Sequence, residues 1–324
     1  MCGIAGWINF NRDISKEKII VENMTKTLSK RGPDDEGYFF SRHADLGHRR
    51  LVVVDPKGGT QPMIKTIGGN KYVIVYNGEL YNTEDLRKIL ISEGYSFESY
   101  SDTEVLLVSY IHWGLNCVKY INGIYAFAVW NDSDNKVFMA RDPLGVKPLF
   151  YTIKGNSLIF GSEIKTLLAH PYVEPIVTRE GLTEIFAMGP ARGLGSGVFK
   201  DIHEVPPAHY MIYDKDGLKL KEYWKLKCKI HTEDENTTAD HVKSLLIDAV
   251  KRQLVADVPV CTFLSGGLDS SIISAVAAFE FKKRGLTLDT YSIDYENNDA
   301  FFESNEFEPT SDKEWALKMS KYIG

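Results

Sequence analysis

Cysteine is scarce in this 324-residue chain: Cys2, Cys117, Cys228 and Cys261 stand far apart, with no Cys-x-x-Cys pair and no histidine at zinc-ligand spacing. A reducing cytoplasm is the simplest setting for such a chain. Long apolar runs are missing as well. None approaches the ~18–20 residues that span a bilayer, and the N-terminus lacks the basic segment and apolar stretch of a secretory signal. Nor is there a positive excess: 38 Lys and Arg against 44 Asp and Glu leave a net charge of −6, which argues against nucleic acid or an anionic membrane as the main partner. Internal repeats and low-complexity segments are absent. With 44% hydrophobic residues the chain is globular, and its length suggests two domains, or one and a substantial piece of another.

The first two hundred residues alternate short β-like runs with turn signals. Candidate strands include Ile4 to Phe10, Asp45 to Val54, Lys71 to Tyr76, Tyr125 to Asn131, Lys136 to Asp142 and Leu149 to Ile153. Turns such as Asp132-Ser-Asp-Asn135 favour antiparallel hairpins. Helices are expected at Lys16 to Leu28, at Thr83 to Glu93 and after Asp102, which makes a layered α+β domain.

The character changes after Pro206-Pro207. A hairpin-like stretch from Tyr210 to Trp224 leads into the polar segment His231 to Asp240, the candidate linker. An amphipathic helix follows, with Val242, Leu245, Leu246, Ala249, Val250 and Leu254 on one face. Then come a strand at Val258 to Leu264, the loop Ser265-Gly-Gly-Leu-Asp-Ser-Ser271, a helix at Ile272 to Lys283 and a second strand at Leu288 to Ile293. That order opens a parallel α/β nucleotide-binding sheet.

Met1-Cys2-Gly3 carries the first chemistry. If Met1 is removed, Cys2 holds a thiol and a free α-amine on one residue, and an α-amine with a pKa near ~7.7–8.0 can accept the thiol proton. Alone, Cys2 reads rather as an incidental residue of a first strand. Polar clusters interrupt the apolar segments at Arg31-Gly-Pro-Asp34, His48-Arg-Arg-Leu51, Tyr76-Asn-Gly-Glu79 and Ser101-Asp-Thr-Glu104. Their groups suit a small zwitterion, since an arginine clamps a carboxylate and a carboxylate accepts from an ammonium. Asn77-Gly78 offers a side-chain amide and a backbone N–H to an oxyanion, or else a plain hairpin turn.

In the second segment, a strand ending in Ser-Gly-Gly with a helix starting at Asp269 or Ser270 aims N–H groups and the positive helix end into one space suited to phosphate. Asp269 would repel phosphate unless a cation intervenes, so Mg²⁺ is a corollary.

These clusters, together with Arg141-Asp-Pro-Leu-Gly-Val-Lys-Pro148, resemble in order the glutaminase domain of glutamine-dependent asparagine synthetases. Ser265 to Ser271 resembles the pyrophosphatase loop that opens their synthetase domain. The resemblance implies an N-terminal nucleophile hydrolase αββα sandwich over residues 2–206, a hairpin and linker over 207–234, and the first part of an α/β parallel-sheet ATP-pyrophosphatase domain over 235–324. It makes Cys2 the nucleophile, Asn77 and Gly78 the oxyanion hole, and Arg50, Leu51, Val53, Glu79 and Asp102 the glutamine site. Leu264, Ser265, Gly266, Gly267, Asp269, Ser270 and Ile293 would hold the nucleotide, with Asp269 on the metal.

The implied reaction forms an aspartyl adenylate from aspartate and ATP and amidates it with ammonia from glutamine. Glutamine, aspartate and ATP are thus the expected partners, a homodimer is a further expectation, and neither nucleic acid nor membrane is involved. The family's second domain continues well past the first loop, so the chain is expected to hold a glutaminase and a fragment of a synthetase. Amidation of a different carboxylate and non-catalytic binding of glutamine and nucleotide are the alternatives.

Overall fold

The computed structural model describes residues 1–189, 191–306 and 310–324. The described chain divides into two compact units, Met1–Cys228 and Lys229–Gly324.

Along the first unit run β1 (Gly3–Asn9), α1 (Lys18–Lys26), β2 (Asp35–Phe40), β3 (Ala44–Arg50), β4 (Met63–Ile67), β5 (Asn70–Leu80), α2 (Thr83–Ser92) and α3 (Asp102–Trp113). There follow β6 (Gly123–Asn131), β7 (Lys136–Arg141), β8 (Phe150–Lys154), β9 (Ser157–Gly161), α4 (Ile164–Leu168), α5 (Arg179–Met188), β10 (His203–Glu204), β11 (His209–Asp214) and β12 (Gly217–Glu222). The strands form two six-stranded sheets, ordered β10-β8-β9-β1-β3-β2 and β12-β11-β7-β6-β5-β4, with antiparallel pairing throughout. The hairpin of β11 and β12 extends the second sheet, because β11 pairs with β7.

Period-two alternation builds the layers. On β1, Ile4 and Ile8 point into a cluster shared by both sheets, while Ala5 and Trp7 face the layer of α1 and α4. On β6, Ala126, Ala128 and Trp130 fill the space between the sheets, and Tyr125, Phe127 and Val129 face α2 and α3. Strands buried on both faces read as near-continuous apolar runs, and the result is the four-layered αββα sandwich. Each fully buried Ile4, Leu46 or Phe160 contributes about 1.5–3 kcal/mol of transfer free energy.

Two buried ionisable groups of β3 pull stability in opposite directions. Burial pushes His48 down from 6.5 to about 3 and Asp45 up from 3.8 to about 7. For His48 the folded value lies below the unfolded one, so its contribution is complete above about pH 6.5 and is lost as pH falls toward 3. For Asp45 the folded value lies above the unfolded one, so its contribution is complete below about pH 3.8 and is lost as pH rises through about 7. Between these ranges the two slopes offset. In Asp45→Asn the histidine slope stands alone, and stability is expected to rise by up to ~1.4 kcal/mol per pH unit between about pH 4 and 6.5 relative to the parent. Urea midpoints across that range measure it; an unchanged slope would refute the pairing.

The second unit holds α6 (Glu235–Arg252), β13 (Cys261–Phe263), α7 (Leu268–Lys283), β14 (Asp289–Tyr291), α8 (Asn298–Phe301) and α9 (Asp312–Ile323). Strands β13 and β14 pair in parallel, Cys261 with Asp289 through Phe263 with Tyr291. Helix α6 takes in half of the polar segment read as a linker, because Asp234 caps it by accepting from the N–H of Thr237. Its expected apolar face is open within this unit: Val242 and Leu245 are 49% and 62% exposed. Helix α7 begins at Leu268, one or two residues before the start expected at Asp269 or Ser270 and four before Ile272, with Gly267 as its cap. Ile293 lies two residues beyond β14 rather than in the strand.

Candidate active site

Strand pairing brings the N-terminus of the chain to the end of β3. Gly3 pairs with Arg49, and just beyond this pair the Leu51 N–H donates to Cys2 Sγ at 3.4 Å. The Cys2 S–H donates back to the Leu51 carbonyl at 3.6 Å. Arg31 fixes the backbone here: its Nε donates to the Cys2 carbonyl at 2.9 Å and its Nη1 pairs with Glu163 at 3.2 Å. Burial pushes the Cys2 thiol up, opposed by the Leu51 N–H, the terminal ammonium and Arg50. Burial also lowers the pKa of the terminal amine, now on Met1, and the cations Arg31 and Lys147 add to that shift.

The second wall comes from β5. Strand β4 stops pairing at Met63, opposite Ile74, while β5 continues to Leu80 against β6. From Tyr76 onward one edge of β5 therefore has no strand beside it. Side chains take over. The Tyr76 N–H donates to Gln61 Oε1 at 2.6 Å, and the Leu80 N–H donates to Asp102 Oδ2 at 3.1 Å. Alternation along a strand puts the Gly78 N–H on this same edge, between those two positions. Asn77 and Gly78 are thus interior to a strand, paired with Ala126 and Tyr125, and form no hairpin turn. Asn77 is buried, and its Nδ2 has no hydrogen-bond partner among the described residues. A buried unpaired amide costs about 1–3 kcal/mol, which marks a position awaiting an acceptor.

All eight residues expected to act on glutamine meet in one narrow cavity of about 100 Å³: Cys2, Arg50, Leu51, Val53, Asn77, Gly78, Glu79 and Asp102. Arg50 is buried, with Nη1 donating to the Pro56 carbonyl and Nη2 to those of Val54 and Asp55, so the loop after β3 holds its guanidinium rigid. Gly59 lies against it, where a Cβ would fall 2.4 Å from Arg50 Nη2. Asp102 opens α3 behind the capping Ser101 and accepts from the Tyr76 hydroxyl at 3.0 Å. Burial raises its carboxyl, against the Leu80 N–H and the Tyr76 hydroxyl.

Gln61, Gly59, Thr103 and Lys147 also line the cavity and were given no role from the sequence. Lys147 carried one signal, the Arg141 to Pro148 motif. That loop folds around the buried Asp142, which accepts from the N–H groups of Leu144, Val146 and Lys147. Arg141 in turn donates to the Lys147, Val205 and Gly145 carbonyls. Burial lowers the Lys147 ammonium, opposed by Glu79.

In the second unit, Leu264, Ser265, Ser270 and Ile293 line a separate cavity of about 600 Å³. Gly266, Gly267 and Asp269 stand in the adjoining loop and first helical turn without lining it. Gly266 has φ +86°, and a Cβ there would meet the Trp315 backbone at 2.6 Å. The Ser265 and Ser270 hydroxyls are 3.0 Å apart over the N-terminus of α7. Asp269 is exposed there. No cluster of three or more His, Cys, Asp or Glu suited to a metal occurs among the described residues, and no helix among them is long and apolar enough to cross a membrane.

Residues 1–224 match the family model of the glutamine amidotransferase domain, and residues 241–324 that of asparagine synthase. The chain is 55% identical to asparagine synthetase [glutamine-hydrolyzing] 3 of Bacillus subtilis over 325 aligned positions, covering 100% of this chain and 53% of that protein. A putative asparagine synthetase [glutamine-hydrolyzing] 2 of Methanocaldococcus jannaschii is 36% identical, covering 91% and 60%, and an amidase, chry2, of Gibberella zeae is 32% identical, covering 87% and 44%. The chain thus spans about half the length of the curated relatives it matches. Among solved structures, the glutamine phosphoribosylpyrophosphate amidotransferase of B. subtilis matches with a TM-score of 0.52 at 17% identity, covering 94% of this chain and 69% of that one. That likeness shows the fold.

Proposed function

Since this chain belongs to the glutamine amidotransferase family, in the asparagine synthetase branch, we propose that its first unit hydrolyses glutamine at Cys2 and that its second begins an ATP-dependent asparagine synthetase. One observation supports this most: the nucleophile, a buried unpaired amide and an open strand-edge N–H converge on a cavity whose walls carry both charges.

The Cys2 sulfur attacks the side-chain carbonyl carbon of glutamine, and the C=O electron pair moves onto oxygen. Asn77 Nδ2 and the Gly78 N–H receive that oxyanion, an arrangement worth about 10²–10³ in rate per donor. Collapse expels ammonia, which leaves with the former thiol proton, and a glutamyl thioester remains on Cys2 until water releases glutamate. The α-amine of Cys2 carries the proton between thiol and leaving group, so the route requires removal of Met1. Arg50 holds the substrate carboxylate, Glu79 and Asp102 receive its ammonium, and Leu51 and Val53 flank its carbon chain.

In the second unit, the serine hydroxyls and the N-terminus of α7 face a phosphate group, with Leu264 and Ile293 at the base. A single exposed carboxylate, Asp269, fits a Mg²⁺ that arrives with the phosphates rather than one held by the protein alone. The ion would neutralise phosphate charge there. Aspartate is the proposed acceptor, the enzyme is proposed to work in the cytoplasm, as a homodimer, and no nucleic acid or membrane enters the reaction. The name of the 55% identical relative supports aspartate over another carboxylate.

Incubating the chain with glutamine tests the first half. Equal release of glutamate and ammonia is expected, with a glutamyl adduct on the Cys2 peptide after rapid acid quench. Release without such an adduct would overturn the thioester route.

A further inference from the structure

The Tyr76 peptide, immediately before Asn77 and Gly78, has both of its polar groups taken by side chains: Gln61 accepts from its N–H, and its carbonyl lies 3.1 Å from His48 Nε2. A carbonyl can only accept, so the ring proton sits on Nε2 and His48 is the donor. His48 lies on β3, in the sheet that carries Cys2, whereas Tyr76 lies on β5, in the facing sheet. The pairing of His48 with Ile4 places the ring two residues from Cys2 along β1. The imidazole is 1% exposed and does not line the cavity, so it touches no substrate.

We propose that His48 is a positioning residue for glutamine hydrolysis: its Nε2–H ties the strand bearing the oxyanion donors to the sheet bearing the nucleophile. This rests on the glutaminase reading above. Beside this point the packing between the two sheets, with Leu46 and Val75 in one cluster, is apolar and fixes separation, whereas a directional hydrogen bond also fixes the sliding of β5 along its own axis. The bond ends on the residue adjacent to Asn77, so a slip there moves both donors together. Donors that act only on the oxyanion contribute only in the transition state. Their displacement lowers kcat and leaves KM nearly unchanged.

The test compares two amides at one position in the full chain. The Nε2 of a glutamine occupies the place of the imidazole Nε2, and the Nδ2 of an asparagine falls short of the Tyr76 carbonyl. His48→Gln is expected to keep kcat within about threefold of the parent, and His48→Asn to lose about 10–100-fold with KM within twofold. Alkylation of Cys2 by iodoacetamide, followed on its own peptide by mass spectrometry, forms S–C and breaks C–I without an oxyanion. Its rate is expected to be the same in all three proteins. Equal kcat in the two variants, or parallel loss of kcat and alkylation in His48→Asn, would overturn the proposal. If His48→Asn does not fold, His48→Met, with no donor, makes the same comparison with His48→Gln. Cys2→Ala in the same assay separates the two readings. Glutamine hydrolysis surviving in Cys2→Ala defeats the reading of Cys2 as the nucleophile, and an inactive Cys2→Ala with equal His48 variants defeats only the positioning role.

Discussion

Cys2→Ala is expected to reduce glutamine hydrolysis by at least ~10³-fold while leaving thermal unfolding within about 1 °C of the parent. The nucleophile leaves no substitute, because a covalent route without its attacking atom reverts to water held near the oxyanion donors. The fold loses little. Cys2 Sγ makes two long contacts with the Leu51 backbone, whereas the position of the backbone is held by Arg31 on the Cys2 carbonyl. Glutamate release and a melting curve on the same preparation decide it, and a variant as active as the parent would remove Cys2 from the mechanism.

Gly78→Ala should harm both the fold and the chemistry. A Cβ at Gly78 would lie 2.3 Å from the Ile124 carbonyl oxygen, 2.5 Å from Tyr76 Cε2 and 2.8 Å from Tyr125 Cα. Two of those three atoms are backbone of β6, the neighbouring strand, so relief requires the β5–β6 pair to open. Overpacking of this kind costs about 1–3 kcal/mol, a fall of several degrees in melting temperature for a unit of this size. The displaced edge also carries the proposed oxyanion N–H, so kcat should drop about 100-fold. Chemical denaturation and steady-state kinetics measure the two effects. A stable variant of full kcat would mean that neither the tight contact nor the edge N–H matters.

Much of the site was legible because its residues sit in short polar breaks within apolar runs. Arg50, Asn77, Gly78, Glu79 and Asp102 are of this kind, Cys2 stood out by its place after Met1, the resemblance supplied their roles, and the cavity gathers all six. Gln61 and Gly59 were not legible, because each reaches the cavity only through tertiary geometry, and Lys147 had only the Arg141 to Pro148 motif as its signal. Gln61 caps a strand edge that exists only because β4 is shorter than β5. Asn77-Gly78 shows the converse. Local preference allows a turn, but pairing with β6 carries the strand through to Leu80, since cross-strand contacts outweigh intrinsic tendency. The amphipathic period of α6 correctly gave a helix, although its apolar face stays open in this unit. The short β9 was not legible, because five buried residues after the Gly155-Asn156 turn carry almost no period.

The unequal lengths of β4 and β5 have a consequence for the behaviour of the molecule in a crowded solution. An unpaired strand edge is a template on which a foreign strand can grow, and proteins usually protect such edges with charge, proline or a covering helix. Here Gln61 and His48 occupy the N–H and the carbonyl of Tyr76 on the β5 edge, and Asp102 occupies the N–H of Leu80. Between those residues a peptide laid along the edge would meet only the N–H and carbonyl of Gly78, too little to start a ladder. The groups that shape a pocket for one small molecule therefore also keep the sheet from recruiting another strand.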